Sequence, residues 1–253
     1  MSARITDWPI LWHEETDSTN EDAKRRAHEG PFDNHWIAAR QQTSGRGRLG
    51  RKWVSPPGNL YTTGLINWPY PLETAGRLPF VAALAVRETV AHFAPDAAAQ
   101  LKWPNDVRIK RAKVSGILIE SGQDRGSMWV AVGIGLNVAH APEVAEQSTT
   151  CLSALAGRPL AAELVLPILA ERFQVWLDAA INGFDAIRSD WLNHAEALGG
   201  EISVLTGEGR VTGVFETLAP DGALILRLPN GEQTLIRAGD VQIRQGDGHA
   251  AGN

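Results

Sequence analysis

Gln42-Thr43-Ser44-Gly45-Arg46-Gly47-Arg48-Leu49-Gly50-Arg51-Lys52-Trp53 is a glycine-laced basic loop set between two apolar runs. Four cations, Arg46, Arg48, Arg51 and Lys52, fall within seven positions of a chain whose formal net charge is −5. Glycine accepts positive φ and lets the backbone approach a ligand closely, while arginine offers a planar fork matched to carboxylate and phosphate oxygens. The loop therefore reads as an anion clamp, with its glycines as the hinges of a lid. His35 to Arg40 on one side and Asn59 to Ile66 on the other read as strands, so the clamp joins two elements of one sheet.

Two nucleotide motifs fail here. Gly45-Arg46-Gly47-Arg48-Leu49-Gly50 formally satisfies G-x-G-x-x-G, but a dinucleotide fingerprint opens a helix, and Lys52-Trp53-Val54-Ser55-Pro56-Pro57-Gly58 cannot form one. A P-loop needs Gly-Lys-Ser/Thr, which occurs nowhere in the chain. From these residues alone, a nucleic-acid patch and a solvated basic loop stay open as readings.

With 253 residues, 43% hydrophobic and 21% charged, the chain is long enough for one large domain and a small one. The single cysteine, Cys151, excludes an internal disulfide framework and reads as a small buried hydrophobe. Met1 to Pro9 has no apolar signal region and no run approaches a membrane span, so a cytoplasmic location with no membrane partner is expected. The acidic balance, pI about 5.8, argues against a general nucleic-acid binder.

Outward from the loop, Ile10 to Glu14 reads as an edge strand, followed by Asp17-Ser18-Thr19-Asn20-Glu21. Ser18 and Glu21 have capping-box spacing for a helix over 19–29 closed by Gly30. Capping alone would explain Ser18; a hydroxyl at a helix N-terminus can also serve a ligand. Leu78 to Phe93 reads as a helix buried on most sides. In Leu101-Lys102-Trp103-Pro104-Asn105-Asp106, Pro104 separates two short strands and Asn105-Asp106 is turn chemistry. Lys113-Val114-Ser115-Gly116-Ile117-Leu118-Ile119-Glu120 then places a lysine at the mouth of a strong strand. Met128 to Val138 carries alternating Gly133 and Gly135, so one face lacks side chains where a ligand or another backbone comes close. Helices follow over Ala161 to Ala180, despite Pro167, and Phe184 to His194. After Leu198 the grammar changes to short strands (201–205, 210–218, 223–228, 234–238, 241–244) separated by Gly/Pro/Asn turns, the pattern of a small all-β barrel. Domains are expected at 1–198 and 199–245, with a frayed tail over 246–253.

Five segments in this order, Asp17 to Asn20, Gln42 to Trp53, Lys102 to Asp106, Lys113 to Leu118 and Gly133 to Asn137, resemble the biotin protein ligases, and the resemblance covers nearly the whole chain. Lipoate ligases share the catalytic fold but are not known by this arginine-glycine loop. The resemblance implies an α+β fold, a class II synthetase-like catalytic domain of mixed sheet and helices followed by an SH3-like β-barrel. It implies ATP-dependent activation of biotin as biotinyl-5'-AMP, then transfer to a lysine of a biotin carboxyl carrier protein, with magnesium accompanying the phosphates. Biotin would be held by Ser18, Thr19, Asn20, Gln42, Gly45, Arg46, Gly47, Arg48, Lys113 and Gly116. The adenylate would meet Arg48, Arg51, Trp53, Lys102, Asn105 and Asn137. Lys113, Arg48 and Asp106 would be the catalytic groups, Asp106 orienting the acceptor lysine. No residue is assigned as a metal ligand. Because the first motif begins at Asp17, a DNA-binding domain and DNA itself are not expected; a homodimer is compatible with the family. Physically, a carboxylate and a polyphosphate can meet only beside fixed cations.

Overall fold

The computed structural model describes residues 8–124, 126–144 and 147–243. Its first sheet comprises β1 (Ile10–Thr16), β2 (His35–Gln42), β3 (Leu60–Asn67), β4 (Ala99–Lys102), β5 (Asp106–Ile109), β6 (Ala112–Asp124) and β7 (Ser127–Leu136). The helices are α1 (Thr19–Glu29), α2 (Leu72–Ala75), α3 (Leu78–Phe93), α4 (Leu152–Ala156), α5 (Ala162–Asn182) and α6 (Asp185–Asn193). The expected strands and long helices are all present; α2 and α4 are single turns too short for a periodic signal. Strand order is β1-β2-β3-β7-β6-β5-β4, with β1 parallel to β2 and every other neighbour antiparallel. The basic loop therefore connects two adjacent antiparallel strands, as its flanks predict. Across the Trp103-Pro104-Asn105 turn, Lys102 pairs with Asp106. No helix among the described residues is long and apolar enough to cross a membrane.

Alternation along the strands decides which face carries the core. Val130, Val132, Ile134 and Leu136 of β7 join Trp36 and Ala38 of β2 in the main hydrophobic cluster, against α3 and α5. Ala131 and Trp129, with Ile37 and Leu65, instead meet Ala23 and Ala27 of α1 on the opposite face. Gly133 and Gly135 continue that second face, and there the side chains run out. A Cβ on Gly133 would lie 2.2 Å from Asn20 Oδ1, and one on Gly135 would lie 2.5 Å from the Trp53 indole. The close neighbours that the two glycines accommodate are thus the chain's own Asn20 and Trp53. Pro167 lies within the second turn of α5, which continues through it to Asn182.

The C-terminal strands, β8 (Glu201–Thr206), β9 (Gly209–Leu218), β10 (Leu224–Arg227), β11 (Gln233–Ile236) and β12 (Asp240–Ile243), form an antiparallel sheet ordered β11-β10-β9-β8-β12. The expected small all-β unit is present, but β11 and β12 are its edges and no ladder among the described residues joins them, so hydrogen bonds do not close it as a barrel. Its apolar side is not independent. Phe215, Leu218, Leu224 and Ile202 belong to the same cluster as Phe80, Phe184 and Trp191, and Trp191 packs on Phe215 at 6.4 Å between centroids. Trp103 Nε1 donates to Gly222 O at 3.2 Å, tying the turn of the Lys102–Asp106 motif to this sheet. The expected tail over 246–253 lies outside the described residues.

A methyl group at position 133 must displace either Asn20 or the backbone of Leu118, whose oxygen lies 3.0 Å away. Gly133→Ala is expected to cost about 1–3 kcal/mol, the usual cost of overpacking. Urea unfolding should show a lower midpoint at unchanged slope; a midpoint equal to that of the parent chain contradicts the close-packed floor.

Candidate active site

The segment before α1 is fastened from behind. Arg25 grips Asp17 through two hydrogen bonds of 2.7 and 2.9 Å, and the Asp17 carboxylate also accepts from Ser18 N at 2.7 Å. The Arg25 guanidinium beside it holds the Asp17 carboxyl well below the usual carboxylate range. Ser18 occupies the N-cap position of α1 but makes no capping bond with its side chain, so the expected capping box does not form. Glu21, its supposed partner, is ion-paired with Arg46 of the basic loop instead. Freed from capping, Ser18 lies on the cavity wall with Thr19 and Asn20.

The loop folds back over this wall. Gly47 N donates to Arg51 O at 2.7 Å and Trp53 N to Gly45 O at 2.9 Å, closing a narrow turn in which Leu49 adopts a positive φ of 56° and is 79% exposed. Each arginine is then held by a different part of the chain: Arg46 by Glu21 of α1, Arg51 by Asp240 Oδ2 of β12 at 2.6 Å, and Arg48 by Asn105 Oδ1 at 3.5 Å and Gly239 O at 3.4 Å. Burial lowers Arg48 from its ordinary value, with Asp106 and Asp240 acting in the opposite direction.

On the sheet, β5 and β6 bring Lys113 Nζ to 2.7 Å from Asp106 Oδ1. The same ammonium stands 5.2 Å from the centroid of the Trp53 ring, which rests on the bare backbone at Gly116 and Gly135. Lys102 is pushed below its ordinary value by burial, the nearby Asp106 working against that. Asn105 braces the turn by donating to Ile117 O at 2.8 Å. Asn137 donates to Thr150 O at 3.0 Å and to Lys113 O at 3.4 Å, fixing the strand that carries Lys113.

These pieces enclose one cavity of about 1030 Å³. It is lined by every residue expected at the site except Gly45. Gly45 sits behind the wall, where a Cβ would meet Ser55 Oγ and Trp53 O at 2.5 Å each; it shapes the base of the loop. Trp103, by contrast with Trp53, is buried in the core. Sequence reading missed Asp240 and Gly239, which arrive from a distant strand, and Arg108, Lys110 and Arg111, whose basic run beside Lys113 was the available signal.

Residues 12–137 match the model of the biotin/lipoate A/B protein ligase family, and residues 197–244 match that of the biotin protein ligase C-terminal domain. A biotin–[acetyl-CoA-carboxylase] ligase of Paracoccus denitrificans is 41% identical over 233 residues, covering 88% of this chain and 96% of the relative. This chain belongs to the biotin protein ligase family. A second ligase of that name, from Mycobacterium tuberculosis, is 33% identical over 90% of this chain and 86% of its own length. Among solved structures, the biotin protein ligase of Aquifex aeolicus in complex with biotin and ATP superposes with a TM-score of 0.77 at 31% identity, over 94% of this chain and 99% of that one.

For a biotin ligase family member, the physical content of the cavity is a concentration of positive charge against apolar walls. Burial lowers Lys102, and among the described residues no ion pair takes up its charge in the way Asp106 takes up that of Lys113. A lysine with a depressed folded pKa binds its proton less tightly folded than unfolded, so its cost to stability is present at neutral pH and is relieved as pH rises through the folded pKa. An anion entering the cavity relieves the same cost. Lys102→Met should therefore leave the ligand-free protein at least as resistant to urea as the parent, while removing most of the thermal shift that pyrophosphate produces. A full pyrophosphate shift in the variant would show that Lys102 does not face the bound anion.

Proposed function

We propose that the protein activates biotin with ATP and transfers it to a lysine of a biotin carboxyl carrier protein. The observation that carries this reading is the single cavity into which Arg46, Arg48, Arg51, Lys102 and Lys113 all converge beside Ser18, Thr19 and Gln42. In the first step a biotin carboxylate oxygen attacks the α-phosphorus of ATP; the bond from that phosphorus to the bridging oxygen breaks, and pyrophosphate leaves. In the second, a neutral lysine amine attacks the acyl carbon, the carbon–oxygen bond to AMP breaks, and the amine loses its proton. Both reactants of the first step are anions, and fixed cations in a partly desolvated cavity are the main means of bringing them together.

Within this reading Ser18, Thr19, Asn20, Gln42 and the glycine floor at Gly116 face the biotin ring. Lys113, Arg46 and Arg48 take its carboxylate, and Arg51, Lys102 and Asn105 take the nucleotide phosphates. The carboxylates lining the cavity, Asp106 and Asp240, are each already held by a cation. They make a poor cage for a divalent metal, so magnesium would arrive on the ATP phosphates and be held there by phosphate oxygens and water. Asp106, 2.7 Å from Lys113 Nζ, would receive the acceptor ammonium. Action in the cytoplasm goes with this activity. A nucleic-acid module built on the same loop is disfavoured because its three arginines are already engaged by Glu21, Asn105 and Asp240.

Lys113→Ala should slow single-turnover formation of biotinyl-adenylate by about 10²- to 10³-fold, the loss typical of one preorganised donor. Asp106→Asn should slow transfer from preformed adenylate to carrier more than it slows adenylation. Near-normal pyrophosphate release by Lys113→Ala, or equal losses in both half-reactions for Asp106→Asn, contradicts these roles.

A further inference from the structure

Behind the cavity wall runs a chain of hydrogen bonds that starts at a carboxylate the cavity never touches. Asn20 Nδ2 donates to Glu120 Oε2 at 2.8 Å and to Leu118 O at 3.3 Å. Thr63 Oγ1 lies 2.7 Å from Asn20 Oδ1 and 2.8 Å from Thr19 Oγ1. Gln42 Oε1 accepts from Thr19 N at 2.9 Å and lies 3.2 Å from Thr19 Oγ1, while Gln42 Nε2 donates to Ser55 Oγ at 2.9 Å and Ser55 Oγ to Trp53 O at 2.9 Å. Thr63 is fully buried, and Thr19 and Asn20 nearly so.

The two ends of this chain have fixed polarity. At one end a carboxylate and a peptide carbonyl only accept, so Asn20 must turn its NH₂ toward them and its oxygen toward Thr63. That oxygen claims the single hydroxyl proton of Thr63. At the other end Thr19 N–H only donates, so Gln42 must present Oε1 to it and Nε2 to Ser55. Thr63 Oγ1 has one proton for two acceptors, Asn20 Oδ1 and Thr19 Oγ1; with Asn20 taking it, Thr19 Oγ1 donates to Gln42 Oε1 and receives nothing from Thr63. Its lone pairs are left for the cavity that it lines.

We propose that Glu120 is a positioning residue that sets the direction of this chain and so makes Thr19 Oγ1 an acceptor for a ring N–H of the substrate, selecting a cyclic urea. The inference rests on the biotin reading of the cavity. Glu120 acts without touching ligand: with the carboxylate gone, Asn20 can reverse, donate to Thr63, and turn Thr63's proton toward Thr19 Oγ1, which then meets the ligand N–H with one of its two lone pairs already taken and as a weaker acceptor.

Three measurements on the full chain test this: the biotin dissociation constant by calorimetry, the KM for ATP, and the ratio of affinities for biotin and an N-methylated biotin. Glu120→Gln is nearly isosteric but offers either an oxygen or an NH₂ to Asn20; Thr63→Val removes the shared proton from the middle of the chain. Glu120→Gln should weaken biotin about tenfold, the order expected when one buried hydrogen bond is reversed. Thr63→Val, which has no proton to pass to Thr19, should keep biotin affinity near that of the parent and should restore it when combined with Glu120→Gln. The KM for ATP should stay within about twofold, and discrimination against the N-methylated ligand should narrow by a similar factor to the loss in biotin affinity. Unchanged biotin affinity and discrimination in Glu120→Gln, or a double variant no better than Glu120→Gln alone, overturns the assignment. Parallel losses for biotin and ATP together with a lower Tm also overturn it, in favour of a purely structural role. A parent protein that does not bind biotin overturns the activity assignment itself, an outcome separate from a variant that binds as its parent does.

Discussion

Positive charge gathered in one place without an anion is costly, and the arrangement of this molecule follows from how that cost is contained. Arg46, Arg51 and Lys113 each rest on a carboxylate, Glu21, Asp240 and Asp106 respectively, drawn from three separate parts of the chain. Arg48 and Lys102 have weaker compensation and are the two whose ordinary pKa values burial pulls down. On the proposed reading, the carboxylates stand in for the substrate's own anions, and exchanging one set for the other would be the electrostatic work of binding. A site prepared in this way needs little reorganisation once both anions are present.

The fold delivers these charges through one feature of β7. Its alternate residues build the main core on one face, while Gly133 and Gly135 leave the other face bare at the point where Asn20 and Trp53 must lie flat on the sheet. Trp53 in turn sets the height of Lys113 above the floor. The C-terminal sheet completes the enclosure by bringing Gly239 and Asp240 to the loop. That sheet shares its apolar cluster with α3 and α6, so the wall it supplies is packed onto the same core as the first sheet.

Much of this was legible in the sequence because it is local. The basic loop between two strands, the turn at Asn105, the lysine at the head of β6 and the alternating glycines of β7 are each written within about ten residues, where backbone chemistry alone decides. The places that could not be read are long-range. The Ser18 to Glu21 spacing obeys the capping rule, yet Glu21 is taken by Arg46, because a charged partner brought over by the loop competes with a backbone amide. Asp240, Ser55, Thr63 and Glu120 carry no motif; their roles appear only once separate strands meet. Gly45 carries a packing constraint that the motif does not show: its bare Cα is needed by Ser55 and Trp53. The closed barrel expected from five short strands became an open-edged sheet, a matter of pairing that strand length does not specify.

The central claim is that the cavity brings one carboxylate and one polyphosphate into contact and lets them react reversibly. Exchange of labelled pyrophosphate into ATP measures that event alone, without the carrier. The account predicts exchange that depends strictly on biotin and is lost when Lys113 is replaced by alanine. Exchange without biotin, or no exchange alongside nucleic-acid binding that weakens with salt at a slope near −0.9 per phosphate contacted, would contradict it.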